Sequence, residues 1–236
     1  MKIQDSTALV TGANRGLGLA FTRALLAGGA RRVYAAARDP TSVTLPGVQA
    51  IRLDVTNASE VAAAARELGD VTLLVNNAGI ARGASFLSPD GVDAQRAELE
   101  TNFFGPLVLT RAFAPTLARN GGGAVINVLS ALSWVSFPAF STYCASKSAA
   151  WSLSNGLRQE LSGQGTQLLA LHVGYMDTDM VRHVTAPKSN PDDVVRQTLA
   201  ALEAGKKEIL ADETSRQVKQ GLSAEPGVYL GLPRAA

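Results

Sequence analysis

The sequence predicts a doubly wound α/β fold, in which seven parallel strands form one sheet with helices on both faces. Short apolar runs alternate with longer segments of helical periodicity along the whole chain. Such continuous apolar runs are typical of strands that are covered on both faces by helices. The 236 residues contain no evident linker or internal repeat, so we expect one domain over residues 1–236.

Each predicted element follows from local composition and period. The strands are short runs of β-prone apolar residues, at 7–12, 31–38, 48–55, 71–79, 123–130, 166–174 and 207–212. The helices have a helical spacing of apolar residues, at 16–29, 59–68, 94–119, 142–163 and 191–205. The third helix is expected to be interrupted around Gly105-Pro106. The segment after Asp212 predicts a further helix and an ordered extension.

Composition argues against several classes of function. The 22 basic and 20 acidic residues leave a net charge of +2, and the basic ones are scattered, which does not favour nucleic-acid binding. The single cysteine, Cys144, excludes an internal disulfide and, with only His172 and His183 besides, no zinc spacing occurs. We expect Cys144 to be a buried non-nucleophilic residue and both histidines to be structural. No apolar stretch of 18 residues and no secretory leader is visible, which predicts a soluble cytoplasmic protein that binds no membrane.

A glycine-rich loop, TGANRGLG at 11–18, connects the first predicted strand to the first helix. Glycines allow the backbone to turn tightly and to approach a pyrophosphate, which the helix N-terminus then binds through its N–H groups. The alternative is a tight turn without a ligand. The strand–loop–helix context favours a dinucleotide site in a Rossmann-type fold.

The spacing of this loop, T-G-x-x-x-G-x-G, resembles that of the short-chain dehydrogenase/reductase family, whose members are NAD(P)-dependent oxidoreductases. The resemblance extends to NNAG at 76–79, LDV at 53–55, TNFFG at 101–105 and YCASK at 143–147. The loop and the resemblance together imply a set of cofactor-binding residues, namely Gly12, Asn14, Arg15, Gly16, Leu17, Gly18, Asp54, Val55, Asn77, Ala78, Gly79, Tyr143, Lys147, Gly174 and Thr178.

The Tyr143-x-x-x-Lys147 pair suits proton transfer during carbonyl reduction. Residues four apart on a helix share one face, and an ammonium beside a phenol lowers its pKa from the usual value of about 10. By chance alone such a pair occurs in about one comparable chain in ten, so its joint occurrence with the other motifs is the stronger signal. The resemblance implies that Tyr143 is the general acid or base, that Lys147 also holds the ribose, that Ser130 orients the carbonyl and that Asn102 holds a relay water. On its own, Ser130 fits a capping serine.

The end of the second predicted strand, YAAARDP, favours NADP(H) over NAD(H). Ala37 occupies the position where NAD-preferring relatives usually carry an acidic residue, and Arg38 follows it. Arg15 lies in the glycine loop, and two guanidinium groups suit a 2′-phosphate. Asp39 does not fit this pattern unless it faces solvent or pairs with an arginine. The alternative is that both arginines are ordinary surface residues.

One position departs from the family pattern. After the sixth predicted strand the family commonly has Pro-Gly, whereas Val173 precedes Gly174 here. We expect a looser turn and a weaker assignment for Thr178. Apolar and aromatic residues on either side of the proposed site favour a hydrophobic ketone or aldehyde, or the matching alcohol, as substrate, although such residues also pack in cores. The candidates are Leu132, Trp134, Val135, Phe137, Phe140, Tyr175, Met180 and Val181.

Two further expectations concern assembly and the class of function. In relatives, helices that match those at about 93–119 and 141–162 pack across a two-fold axis, which implies a homodimer or homotetramer. The leading interpretation is an enzyme, and the alternative is a non-catalytic NADP(H)-binding regulator or scaffold with the same fold. Intact residues at all four proposed catalytic positions favour the enzyme.

Overall fold

The computed structural model describes residues 1–182 and 184–231, so His183 and its expected structural role lie outside the described residues. Seven parallel strands form one sheet in the order β3-β2-β1-β4-β5-β6-β7, which confirms the predicted doubly wound fold. The strands are β1 (Thr7–Thr11), β2 (Arg32–Ala37), β3 (Gln49–Arg52), β4 (Leu73–Asn76), β5 (Ala124–Val128), β6 (Gln167–His172) and β7 (Glu208–Leu210). The order changes direction between β1 and β4, where α/β sheets open a ligand crevice at their carboxyl ends.

The helices are α1 (Gly16–Ala27), α2 (Ala58–Glu67), α3 (Gly91–Leu99), α4 (Gly105–Arg119), α5 (Ser141–Glu160), α6 (Pro191–Glu203) and α7 (Glu213–Gly221). The predicted long helix is interrupted slightly earlier than expected, by one π-helical turn over Glu100–Phe104. The residue Pro106 lacks an N–H group and cannot donate to the carbonyl of Asn102, four residues earlier. This loss of the regular hydrogen bond explains why the irregularity falls here.

The core has two halves, one on each face of the sheet. One half packs α1 and α6 onto the sheet through Phe21 and Val195, and the other packs α2, α4 and α5 through Phe113 and Leu157. Consecutive strand residues serve opposite halves, so most strand positions are apolar where both faces are covered. The helices thereby hold the strand ends of the crevice in fixed positions.

Two negative findings apply to this part of the chain. None of the helices within 1–182 and 184–231 has both the length and the apolar character needed to cross a bilayer. The same residues contain no group of three or more histidine, cysteine or acidic side chains placed to hold a metal ion.

Candidate active site

The loop between β1 and α1 has a backbone shape that requires glycine. Gly12 and Gly16 have φ angles of 63° and 53°, in the left-handed region that L side chains rarely adopt. A Cβ atom on Gly18 would lie 2.1 Å from the carbonyl oxygen of Gly12. The first turn of α1 therefore lies directly against the end of β1.

Thr11 and Asn77 hold this loop against the end of β4. The Thr11 hydroxyl accepts hydrogen bonds from the backbone N–H groups of Asn77 and Ala78, at 3.0 Å each. The Asn77 amide nitrogen donates to the carbonyl of Thr11 at 2.8 Å. Thr11 was not among the predicted site residues. The available signal in the sequence was its hydroxyl group at the end of the first strand, directly before the glycines.

The start of α1 fits a bound anion. No side chain caps this helix and its first turn contains no acidic residue, so its first N–H groups have no partner within the helix. Unpaired N–H groups at a helix N-terminus are a common binding site for phosphate. The predicted loop residues Asn14, Gly16 and Leu17 all lie in this turn or directly before it. These residues fit the pyrophosphate of a dinucleotide.

The two arginines predicted to bind a 2′-phosphate differ in their surroundings. Arg38 is exposed directly after β2 and forms no salt bridge with the residues that the structure describes. Arg15 pairs with Asp179 at 3.0 Å, and because both side chains are largely exposed this contact is weak. Asp39 instead accepts hydrogen bonds from the backbone N–H and hydroxyl of Thr41, which lower the pKa of its carboxyl. Its carboxylate therefore caps a turn.

Two other predicted cofactor residues lie across the crevice. Asp54 follows β3, and its carboxylate accepts hydrogen bonds from the N–H and hydroxyl of Thr56, at 2.9 and 2.8 Å. Val55 is buried, and a Cβ atom on Gly105 would lie 2.9 Å from its side chain. Asp54 is thereby held in one orientation, while the Val55 side chain belongs to the core.

Tyr143 and Lys147 project from one face of α5, as their spacing predicts. The Lys147 ammonium lies 5.7 Å from the centre of the Tyr143 ring and donates to the carbonyl of Val128 at 2.9 Å. Only 5% of Lys147 is exposed, and burial lowers its pKa to about 8. The end of β5 thus holds the lysine close to the tyrosine.

The pKa of Tyr143 moves in the direction opposite to the sequence expectation. Burial raises the pKa of the phenol above its ordinary value, and the neighbouring Ser130 hydroxyl only partly offsets this. The expectation was wrong in sign because Lys147 gives its hydrogen bond to the Val128 carbonyl and is itself desolvated. At neutral pH the phenol is a proton donor.

Ser130 lies just beyond β5, and its hydroxyl oxygen accepts a hydrogen bond from the N–H of Leu132 at 3.1 Å. The serine therefore is a cap, as the alternative interpretation held. The cap uses only a lone pair, however, and the hydroxyl hydrogen is left for another acceptor. One serine can thus end the strand and still donate into the crevice.

Asn102 lies in the π-helical turn, with both ends of its amide in use. Its oxygen accepts from the N–H of Ile80, and its nitrogen donates to the Ile80 carbonyl and to the Ser146 hydroxyl, all at 2.9 Å. The side chain therefore ties the segment after β4 to α5. The backbone carbonyl of Asn102, to which Pro106 cannot donate a hydrogen bond, is a candidate acceptor for a relay water.

A sequence profile described as short chain dehydrogenase matches residues 6–189, which include the glycine loop and all four proposed catalytic residues. The chain belongs to the short-chain dehydrogenase/reductase family.

Solved structures and curated proteins give the same result. A short-chain dehydrogenase from Burkholderia cenocepacia J2315, crystallised with NADP, is 42% identical, with a TM-score of 0.92 and 96% of each chain covered. A gluconate 5-dehydrogenase from the same organism, in complex with NADP and tartrate, is 25% identical, with a TM-score of 0.79, 89% of this chain and 94% of that one covered. Galactitol 2-dehydrogenase (L-tagatose-forming) from Cereibacter sphaeroides is 37% identical over 190 residues, which cover 76% of this chain and 74% of that protein.

The turn after β6, where Val173 departs from the short-chain dehydrogenase pattern, is held by a residue from another segment of the chain. Val173 is buried, and the N–H of Gly174 donates to the Asp212 carboxylate at 2.6 Å. Asp212 also caps α7 together with Ser215. The turn is therefore tied to the C-terminal helix rather than left loose. Thr178 lies against the glycine loop, since a Cβ atom on Gly16 would be 3.2 Å from its methyl group.

The predicted substrate-facing residues do not form one lining. Phe137, Tyr175 and Met180 are exposed, whereas Leu132, Val135, Phe140 and Val181 are half-buried. Trp134 is 8% exposed and stacks on His172, which favours the packing alternative for this residue. Trp134 and Val135 border a cleft of about 430 Å³ with Cys144 and Tyr229, and none of the four proposed catalytic side chains lines it.

Glu98 was not predicted as a site residue. It is fully buried in α3, and its carboxylate accepts a hydrogen bond from the N–H of Arg82 at 2.6 Å. Together with Asn102, it holds the segment after NNAG beside α5. A single charged residue inside a helical pattern gives no signal of this role, because its partner is a backbone group 16 residues away.

Proposed function

We propose that this chain is an NADP(H)-dependent oxidoreductase that interconverts a hydrophobic ketone or aldehyde and its alcohol. The supporting observation is the convergence of Tyr143, Lys147 and Ser130 at the carboxyl end of β5. This end of the sheet also carries the glycine loop, so one crevice holds both groups of residues.

The cofactor would lie along the carboxyl ends of the strands, with its pyrophosphate at the start of α1 and its 2′-phosphate near Arg38. When bound, it supplies the hydride. Support comes from the two solved relatives that contain NADP and from the exposed guanidinium of Arg38, which forms no salt bridge among the described residues. Arg15 would also bind this 2′-phosphate, after breaking its salt bridge with Asp179.

The protein residues supply and stabilise the proton. In reduction, the Ser130 hydroxyl donates to the substrate oxygen, because its own oxygen is already bonded to the Leu132 N–H. The Tyr143 phenol then gives its proton to the same oxygen. The resulting phenolate is stabilised by the Lys147 ammonium, and a water on the Asn102 carbonyl returns the proton. Oxidation uses the same atoms in reverse.

The substrate class is supported by the exposed apolar side chains of Phe137 and Met180 beside the crevice. A polyol is the second candidate, since one relative is named for galactitol oxidation. Both classes can be tested together by mixing the protein with NADPH and ketones, or with NADP and polyols, and following nicotinamide absorbance. Tight NADPH binding without turnover on any substrate would favour a regulator or scaffold.

The first variant to measure is Tyr143→Phe, which removes only the phenol oxygen. We expect kcat to fall by about 10²–10⁴-fold, the usual contribution of a general acid, while NADPH binding followed by fluorescence is retained. Tyr34→Phe, at a tyrosine whose hydroxyl bonds to Asp70 outside the proposed site, is the matched control and should leave kcat unchanged. A Tyr143→Phe enzyme with wild-type turnover would remove the proposed mechanism.

A further inference from the structure

A second polar cluster lies behind Ser130, on the side away from the crevice residues of α5. Its centre is His172, the last residue of β6, which is fully buried. The Nδ1 atom lies 3.1 Å from the carbonyl oxygen of Ser130, and Nε2 lies 3.4 Å from the Glu208 carboxylate. Since a carbonyl only accepts, the contact with Ser130 is a hydrogen bond when Nδ1 carries the hydrogen, whereas the Glu208 carboxylate competes for a hydrogen on Nε2.

The imidazole ring is held in one orientation by its neighbours. The Trp134 ring stacks on it with 3.9 Å between the ring centres and an angle of 17°. Lys219, from α7, lies 3.3 Å from the Glu208 carboxylate and 4.7 Å from the centre of the Trp134 ring. The neighbouring His172 ring and the Lys219 ammonium lower the pKa of Glu208 to about 2, so this carboxylate stays ionised beside Nε2. The cluster connects β7 and α7 to the backbone of Ser130.

The backbone of Ser130 controls where its hydroxyl lies. Its carbonyl accepts from the N–H of Ser133 at 3.0 Å as well as from His172. The N–H of Leu132, within the same turn, bonds to the Ser130 hydroxyl oxygen at 3.1 Å. The peptide that carries this carbonyl is also held on its other side, because the Ala131 N–H donates to the Val173 carbonyl at 3.0 Å. A rotation of this peptide would move the turn and the hydroxyl together.

We propose that His172 is a positioning residue for the reaction. By donating from Nδ1 to the Ser130 carbonyl, it holds the turn at 130–133 and so aims the Ser130 hydroxyl at the substrate oxygen. This role rests on the proposed function, and it assigns His172 more than the structural role expected from the sequence. Trp134 and Glu208 hold the ring, and neither touches the reacting atoms.

Two substitutions separate the contact to Ser130 from the contact to Glu208. In His172→Asn the amide nitrogen takes the place of Nδ1, whereas in His172→Gln it reaches the place of Nε2. We expect His172→Gln to lower kcat on the order of 10-fold with the KM for NADPH nearly unchanged, because the hydroxyl is misplaced while the cofactor site is intact. His172→Asn should restore kcat to within about threefold of the wild type. Equal kcat losses in both variants, in proportion to lowered Tm, would indicate a packing role only.

A double-mutant cycle tests whether His172 acts through Ser130. We expect Ser130→Ala to lower kcat and His172→Gln to add no further loss in that background, because the hydroxyl to be positioned is gone. The comparison cycle combines His172→Gln with Tyr143→Phe. Ser130 is still present in that background, so His172→Gln should still lower kcat there. Independent, multiplying losses for His172 and Ser130 would overturn the proposal.

A measurement that does not depend on turnover separates the positioning role of His172 from the proposed function. Long-range ¹H–¹⁵N NMR of the full chain, labelled at histidine, reports which ring nitrogen of His172 carries hydrogen. We expect hydrogen on Nδ1, and its absence there would refute the contact whatever the activity. If Nδ1 carries hydrogen but the wild type reduces no carbonyl and oxidises no alcohol, the proposed function and the positioning role both fail, while the contact stands.

Discussion

Lys147 shows how burial, rather than spacing, sets the chemistry of a residue pair. Its ammonium is almost completely buried and gives its hydrogen bond to the Val128 carbonyl. The lowering of its pKa from 10.5 to about 8 corresponds to roughly 3 kcal/mol in favour of the neutral amine. The raised pKa of Tyr143 has the same origin, since both charged forms lose contact with water. The protonated phenol can therefore donate the proton that carbonyl reduction requires near neutral pH.

Replacing Lys147 with methionine should stabilise the fold while removing activity. At pH 7 we expect the free energy of unfolding to rise by about 1–2 kcal/mol, because a desolvated charge is removed at the loss of one hydrogen bond. In the unfolded chain lysine titrates near 10.4, so between pH 8 and 10.4 the unfolded state binds more protons. The wild type then gains stability with pH, and the advantage of the variant shrinks. Denaturant unfolding at several pH values measures the stability difference between wild type and variant, and Lys206→Met, at an exposed lysine, is the control. A Lys147→Met variant that is less stable than the wild type at pH 7 would contradict the prediction.

Arg38 carries the proposed preference for the phosphorylated cofactor. We expect Arg38→Ala to lower kcat/KM for NADPH by about 10–100-fold, the loss of a charge-assisted phosphate contact, and to leave kcat/KM for NADH nearly unchanged. Arg66→Ala, at an exposed arginine on α2, is the control. Equal losses with both cofactors would show that Arg38 does not recognise the 2′-phosphate.

At the scale of elements, the site depends on how loops are tied to neighbouring strands and helices. Thr11 and Asn77 tie the glycine loop to β4, and Asn102 ties the segment after β4 to α5. The Asp212 carboxylate ties the turn after β6 to α7. In each case a polar side chain satisfies backbone groups of a segment distant in sequence, so an irregular segment is held as firmly as a strand.

The contact between the glycine loop and α1 predicts opposite effects for two glycine substitutions. Gly18→Ala places a methyl group 2.1 Å from the Gly12 carbonyl oxygen, so we expect lost NADPH binding and a clearly lower Tm. Gly156→Ala, in the exposed middle of α5 with no atom within 4 Å, should stabilise by about 0.5–1 kcal/mol, because alanine favours the helix. Thermal melts with and without NADPH measure both. Normal cofactor binding by Gly18→Ala would contradict the described packing.

At the scale of the whole molecule, the order of the strands creates the site. Because the order reverses between β1 and β4, the glycine loop, NNAG and Ser130 meet at one edge although the chain separates them by more than a hundred residues. All strands are parallel, so every carboxyl end faces that edge. The same topology leaves the outer faces of α4 and α5 available for contact with another copy.

The proposed assembly remains a prediction at this scale. Phe104, at the start of α4, is 43% exposed, and Trp151 and Leu153 on α5 are only half-buried. We expect light scattering at micromolar concentration to give a dimer or tetramer, because large apolar groups on helix faces favour burial in an interface. The variant Phe104→Glu should shift the mass toward the monomer, whereas Leu230→Glu, at an exposed leucine outside both predicted helices, should not. A monomeric wild type would rule out the assembly.

The sequence alone was sufficient for the doubly wound fold and the family, and it placed the ends of the strands within three residues of their observed positions. These features depend on local periodicity and on motifs within a few residues, which a single chain displays directly. The boundary errors were small, as at α2, which begins at Ala58, directly after its capping residue Asn57, rather than at Ser59.

Only the tertiary structure decided the electrostatics and the supports of the site. Four features depend on contacts between segments far apart in the chain. They are the direction of the Tyr143 pKa change, the contacts that hold the His172 ring, the hydrogen bond from Gly174 to Asp212 and the pairing of Arg15 with Asp179. Such contacts depend on burial and on three-dimensional distance, and a sequence motif contains neither quantity. Motifs therefore predict which residues take part, and packing sets their orientation and shifts their pKa values.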